Sequence, residues 1–363
     1  MLGLMAERGW DLFITANYRT VYYFTGLLGN ADGPCVFALF ADDRSFVMTA
    51  AAAQTCLSER IALESYSIER SITEPVRDAA EALDAALDEA LGGEPGVMRQ
   101  VAAERSSLTG LMEDVIVRQC WCEGLEDATA PVLRLRKRKE PDEIDEIRAS
   151  LRYCAAAYRA ARRTIAPGLT ELDVYSAMYA EVAREAGSSI AFPGDFACGT
   201  RAIRGGGPAT QRVLQPRDLY ILDLFPAPAL YFADTCRTFA VGSATDEQMR
   251  AHEIVRKALG MAEEAVRPGV RARDVYWLVK NYLDSAPLAE KSFWHHLGHG
   301  IGHHGHEAPR MIPGSEDVFE AGDVIALEPG IYSERIGGGI RLEDNYVVTE
   351  TGLQNLFDFP MEL

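Results

Sequence analysis

A short pattern occurs twice in the second part of the chain, and it limits the fold more than any other feature. Pro167-Gly168 followed by Asp173-Val174-Tyr175 returns 101 residues later as Pro268-Gly269 followed by Asp274-Val275-Tyr276. Helical periodicity precedes each Pro-Gly and resumes after it. In the first copy, Pro141 suits the first position of a helix whose apolar face is Ile144, Ile147, Leu151, Cys154 and Tyr158. That helix stops at Pro167-Gly168. The next opens at Thr170, with Asp173 three residues on as in a capping box, and ends at Gly187. Residues 141–363 therefore read as two related α/β halves with helices outside strands, and a site is expected between the halves.

The region ahead of the repeat has a different texture. Short β-rich runs at Leu12–Thr15, Val36–Phe40, Ser45–Met48 and Val97–Ala103 alternate with helical patterns near 50–62, 74–91 and 107–120. With 363 residues the chain is too long for one ordinary core. The basic run from Arg134 to Lys139 marks the expected boundary, giving an α/β domain over 1–133 and a second domain over 134–363. That run leads straight into Glu140-Pro141-Asp142-Glu143 and reads as a solvated linker and helix start.

Charge and composition exclude several classes of partner. A formal net charge of −18 opposes phosphate backbones and anionic membrane surfaces, so neither nucleic acid nor membrane is expected. No apolar stretch approaches the ~20 residues that span a bilayer. The N-terminus lacks the basic and long apolar segments of a secretory signal. Seven scattered cysteines, with no second pair to match Cys120-Trp121-Cys122, read as reduced buried thiols rather than a zinc ribbon. A cytoplasmic location is expected.

The chemistry is signalled by histidine and carboxylate. Six of seven histidines fall between His295 and His306, interleaved with glycine. Imidazole is a common metal ligand and titrates near neutral pH. Upstream, Asp218–Phe225 reads as a buried strand and Leu230–Val241 as its returning partner, placing Asp223 and Asp234 across a hairpin. Two buried carboxylates so placed repel unless a cation lies between them. Downstream, the apolar strand Asp323–Leu327 ends on Glu328, and alternation over Ile340–Val348 puts Arg341, Glu343 and Asn345 on one face. Two Asp, two Glu and one His match paired divalent cations with oxygen-dominated ligation, whose shared water is acidified to hydroxide.

With these motifs the chain resembles the aminopeptidase P, prolidase and creatinase group, whose catalytic domain has the pita-bread fold shared with methionine aminopeptidase. The resemblance implies a creatinase-like N-terminal α/β domain followed by a pita-bread metallopeptidase domain of two related halves. It assigns metal ligation to Asp223, Asp234, His299, Glu328 and Glu343, for two divalent ions: Mn²⁺ first, with Co²⁺, Zn²⁺ or Fe²⁺ compatible. It assigns catalytic roles to His295, His306 and Glu328, and substrate contact to His306 and Arg341. The run Arg136–Lys139 leading to Asp142-Glu143-Ile144 is similar to the family as well.

The implied activity is hydrolysis of the amide preceding proline, as a prolidase or aminopeptidase P performs it, on small peptides with proline second and as a homodimer. Two departures bear on substrate. No histidine occurs between Met1 and Ala251, so a pocket histidine usual in the family is missing, and Phe225 stands where glycine is common. Arg201 or Arg204 could bind a substrate carboxylate instead. The alternatives are a hydrolase or lyase of a non-peptide small molecule on the same scaffold, and a non-catalytic binding protein of the same fold. His296, His303 and His304 read as loop or supporting residues, and His252 as solvated.

Overall fold

The computed structural model describes residues 1–27, 35–49, 64–67, 75–93, 97–286, 288 and 291–363. The helical pattern near 50–62 lies outside these residues. The chain divides into two compact units, Met1–Leu135 and Arg136–Leu363.

The first unit is built on a six-stranded mixed sheet of β1 (Leu12–Thr15), β2 (Cys35–Phe40), β3 (Ser45–Thr49), β4 (Glu64–Ser67), β5 (Val101–Ala103) and β6 (Leu125–Asp127). Their spatial order is β4-β3-β2-β1-β5-β6. Side chains alternate between two apolar clusters, as strand geometry requires. Leu12, Ile14, Val36, Ala38, Phe46 and Met48 pack with helices Pro75–Leu91 and Gly110–Cys120. Phe13, Phe37, Leu39 and Val47 pack with Met5 and Trp10. The strand expected over Val97–Ala103 is confined to its last three residues.

The second unit carries the repeat, and its physical basis is visible. Helices Pro141–Thr164 and Glu171–Ala186 form one pair, and Asp246–Ala265 and Ala272–Asp284 the other. The turns between them need a left-handed residue, supplied by Gly168 at φ 91° and Gly269 at φ 86°. Each turn is then tied to a passing extended segment in the same manner. Gly168 N donates to Leu214 O at 3.0 Å and Gly269 N to Phe319 O at 2.9 Å. Thr170 caps its helix in the expected reciprocal bond with Asp173, while the equivalent Arg271 makes no side-chain cap.

Inside the helices lie three sheets. The first is β7 (Gly194–Cys198), β8 (Leu219–Leu224) and β9 (Thr235–Ala240). The second joins β10 (Lys291–Ser292), β14 (Gly330–Ser333) and β15 (Gly338–Arg341). The third runs β12 (Glu307–Met311), β11 (Gly298–Gly300), β13 (Val324–Leu327), β16 (Asp344–Val348) and β17 (Leu353–Asn355). Two expected strands are modified. The strand returning from Leu230 starts only at Thr235, leaving Asp234 just ahead of it. The run Ile340–Val348 breaks between β15 and β16, which belong to different sheets. The break is bridged by backbone hydrogen bonds between Cys236 and Glu343, 3.0 and 3.3 Å long.

Arg237 locks this junction. Its buried guanidinium donates to Asp344 Oδ1 and to the carbonyl of Glu343, both at 2.7 Å, and to Phe359 O at 2.8 Å. Arg237→Ala leaves Asp344 buried without its cation, and a loss of about 3–5 kcal/mol in urea-unfolding free energy is expected. A loss under about 1 kcal/mol would contradict this reading of the junction.

Candidate metal centre

The five expected ligand residues all border one cavity of about 600 Å³. Each is held by a strand or by the end of one. Asp223 is near the end of β8, Asp234 precedes β9, His299 is central in β11, Glu328 follows β13, and Glu343 occupies the break before β16. The glycines beside His299 have a steric cause. A Cβ on Gly298 would lie 2.1 Å from Ala326 O of β13, and one on Gly300 would lie 2.1 Å from Ala308 O of β12. Neighbouring backbones therefore press against β11 from both sides and fix His299 between them.

Electrostatics then asks for cations. All four carboxylates are buried, and burial followed by mutual repulsion raises Asp234 and Glu343 well above the ordinary carboxylate range. Burial also pushes Asp223 up to about 6, although Arg341 opposes it. Burial alone would raise Glu328 too, but hydrogen bonding from His296 holds it well below the usual value. Asp223 Oδ1 and Glu343 Oε2 are buried with no hydrogen-bond partner, a costly state for anionic oxygens.

His299 Nδ1 lies 3.0 Å from Gly300 O, so its N–H is donated there and the Nε2 lone pair faces the cavity. That lone pair meets Glu328 Oε1 at 3.5 Å and Asp234 Oδ2 at 3.6 Å. Ligand atoms of Asp234, His299 and Glu343 lie within 4.8 Å of one another. Acceptors so gathered fit divalent cations and little else.

The remaining expected residues fare differently. His306 is exposed at the cavity wall, 4.1 Å between ring centres from His299, and burial of its ring followed by the two neighbouring imidazoles lowers it to about 4. His295 also reaches the cavity, but both its ring nitrogens are engaged. Nδ1 lies 2.7 Å from His296 O and Nε2 lies 2.8 Å from Tyr332 Oη. Arg341 borders the cavity too, but is buried and donates to Asp223 Oδ2 at 2.5 Å, Gly205 O at 3.0 Å and Tyr332 Oη at 3.1 Å. Arg204 borders the cavity, is exposed, and makes no hydrogen bond or ion pair among the described residues. Arg201 does not border it. That guanidinium pairs with buried Glu171 and donates to Pro208 O at 2.8 Å, which removes it as a substrate contact.

Two readings from sequence need correction, those of His252 and of the basic run. His252 is buried, not solvated, because it falls on the inner face of its helix beside Ala251 and Val255. His296, by contrast, takes the supporting place that was one of its two expected readings, with Nδ1 2.7 Å from Glu328 Oε1. The basic run is no solvated linker. Arg136 and Lys139 are buried and clasp Glu307 at 2.8 and 2.9 Å, holding that carboxyl at about 2 against the burial that would raise it.

Tyr332, which joins His295 to Arg341, was not singled out from sequence. Period-2 alternation from the core residue Ile331 is the signal that could have found it. A larger cleft of about 1050 Å³ lies along helix Asp246–Ala265 and residues 360–363, but none of its side chains belongs to a metal-competent group among the described residues.

The model of metallopeptidase family M24 matches residues 145–350. The Xaa-Pro dipeptidase of Pyrococcus furiosus is 33% identical over 231 residues, 64% of this chain and 65% of that protein. The Xaa-Pro dipeptidase of Lactobacillus helveticus is 32% identical, over 63% of this chain and 62% of its own length. The match thus spans a little under two thirds of these curated relatives. Among solved structures, the prolidase from Pyrococcus horikoshii OT3 superposes with a TM-score of 0.83 at 24% identity, over 100% of this chain and 98% of the other. The X-Pro aminopeptidase from Thermotoga maritima MSB8 gives 0.83 at 22% identity, over 98% and 97%. The α/β architecture with its twinned helix pairs is therefore the prolidase-like, pita-bread fold, and the chain belongs to metallopeptidase family M24.

Proposed function

We propose that this chain is a divalent-metal-dependent peptidase that hydrolyses the amide preceding proline, acting on Xaa-Pro dipeptides. The observation that carries the reading is the convergence of Asp223, Asp234, His299, Glu328 and Glu343 on one cavity, with two carboxylate oxygens left unpartnered. These five residues would hold the ions. When bound, such a pair of cations acidifies a water and polarises a carbonyl oxygen. Glu328 is placed to accept the proton of the attacking water. Neutral His306 donates a ring N–H to the carbonyl oxygen as it gains charge. His295 acts through Tyr332 rather than directly, and Arg341 holds Asp223 in place. The free guanidinium of Arg204 suits the terminal carboxylate of a dipeptide, and Phe232 offers apolar surface to the proline ring.

Finer features belong to the same proposal. Oxygen-rich ligation favours Mn²⁺ among the candidate ions. The six described cysteines are all free, in keeping with a reducing cytoplasm, and no described helix is long and apolar enough to cross a membrane. A homodimer follows from the family resemblance alone.

Two outcomes are expected. Stripping divalent ions with EDTA lowers the Tm, and Mn²⁺ at 100 times its Kd restores about 2.7 kcal/mol by calorimetry; a Tm indifferent to both treatments would contradict the metal site. Metal-loaded protein should release proline from Xaa-Pro dipeptides but not from longer Xaa-Pro peptides or non-proline controls. Asp234→Asn should lower both metal occupancy and turnover by more than about 100-fold. No turnover of any peptide with two ions bound would sink the peptidase reading.

A further inference from the structure

Asp195 borders the cavity yet has no part in the arrangement above. In β7 it stands directly opposite Asp223 of β8, so both carboxylates leave the same face of the sheet. Like charges directly opposite destabilise a sheet, and packing at the half-exposed edge of a cavity gives no reason for a second acid. Two features accommodate it. Arg341 lies 2.5 Å from Asp223 and also 3.7 Å from Asp195 Oδ2, so one guanidinium faces two carboxylates. Gly206 makes the space, since a Cβ there would fall 2.1 Å from Asp195 Oδ2. The backbone of Gly207 then donates to Oδ1 at 2.9 Å, fixing the side chain. Oδ2 accepts no hydrogen bond among the described residues. Trp294, 53% exposed, and Phe225 border the same cavity, and aromatic surface favours a partly desolvated cation.

We propose that Asp195, seated by Gly206 in the cavity that Trp294 and Phe225 also border, is a subsite for a cationic side chain, lysine or arginine, on the residue preceding proline. The inference rests on the peptidase reading. With Arg204 facing the terminal carboxylate, the charge at Asp195, for which Arg341 is shared with Asp223, falls to the first residue of the dipeptide. A glutamyl side chain would meet Asp195 as a like charge.

The test compares Lys-Pro, norleucyl-Pro and Glu-Pro on the metal-loaded full chain, by kcat/KM and by calorimetric affinity, with metal content measured for every variant. Lys-Pro should exceed norleucyl-Pro by at least about fivefold, with Glu-Pro the poorest. Asp195→Asn should collapse the Lys-Pro to norleucyl-Pro ratio to near unity at unchanged metal content. Gly206→Ala should do the same by displacing the carboxylate while leaving it in the sequence. Cleavage of all three with equal efficiency overturns the subsite and leaves the peptidase reading standing. Asp195-dependent preference for Lys-Pro in binding without cleavage does the reverse. Loss of bound metal in Asp195→Asn, or no binding of any of the three, overturns the subsite.

Discussion

Four buried carboxylates sharing one cavity cannot all remain charged without cations, and much of the second unit is arranged around that constraint. Asp223, Asp234, Glu328 and Glu343 come from separate strands, and each would ionise readily in water. Gathered together they raise Asp223, Asp234 and Glu343, with Arg341 and four imidazoles bordering the same cavity. A protein that needed only a stable core would have placed apolar residues there. Strands end or break at or beside these positions, so that four separate segments bring their carboxylates to one cavity. The bridge between Cys236 and Glu343, braced by Arg237, carries the register from one sheet to the next.

Around this centre lies a supporting layer built from paired charges. Glu307, next to His306, is clasped by Arg136 and Lys139 and accepts a backbone hydrogen bond from His304 at 3.0 Å. The loop that presents His306 is thereby tied to the segment that opens the second unit. Tyr332 gives a second tie, between His295 and Arg341. These contacts set directions for side chains that would otherwise swing freely on a glycine-rich segment, and they explain why the cluster holds so many histidines. His299 faces the carboxylates, His296 touches Glu328, and His303 packs against Tyr231 with ring centres 4.1 Å apart and planes tilted by 38°.

What could be read from sequence followed from local chemistry. Pro-Gly at 167–168 and 268–269 marks positions where only a left-handed residue closes the turn, so the twinned helices were legible. Asp223, Asp234, Glu328 and Glu343 drew attention as carboxylates beside apolar runs, whereas the choice of His299 among six clustered histidines came from the family resemblance. What could not be read depends on long-range pairing. Arg136 looks like a linker residue until Glu307, 171 positions away, is placed against it. His252 looks polar in context, but burial is set by the helix face it occupies. Asp195 carries no local signal at all, since its meaning comes from standing opposite Asp223. The break between β15 and β16 is likewise invisible in the alternating pattern. Arg341, Glu343 and Asn345 still turn toward Asp223 and Asp234, while Ile340 and Leu342 join the core.

The most direct test of the centre is anomalous diffraction from crystals of the full chain loaded with Mn²⁺. Two peaks are expected in the cavity, about 3.5–4 Å apart, bound by the two aspartates, two glutamates and His299. A single peak, or peaks held by His295, His296 and His306 in place of the carboxylates, would contradict the arrangement described here.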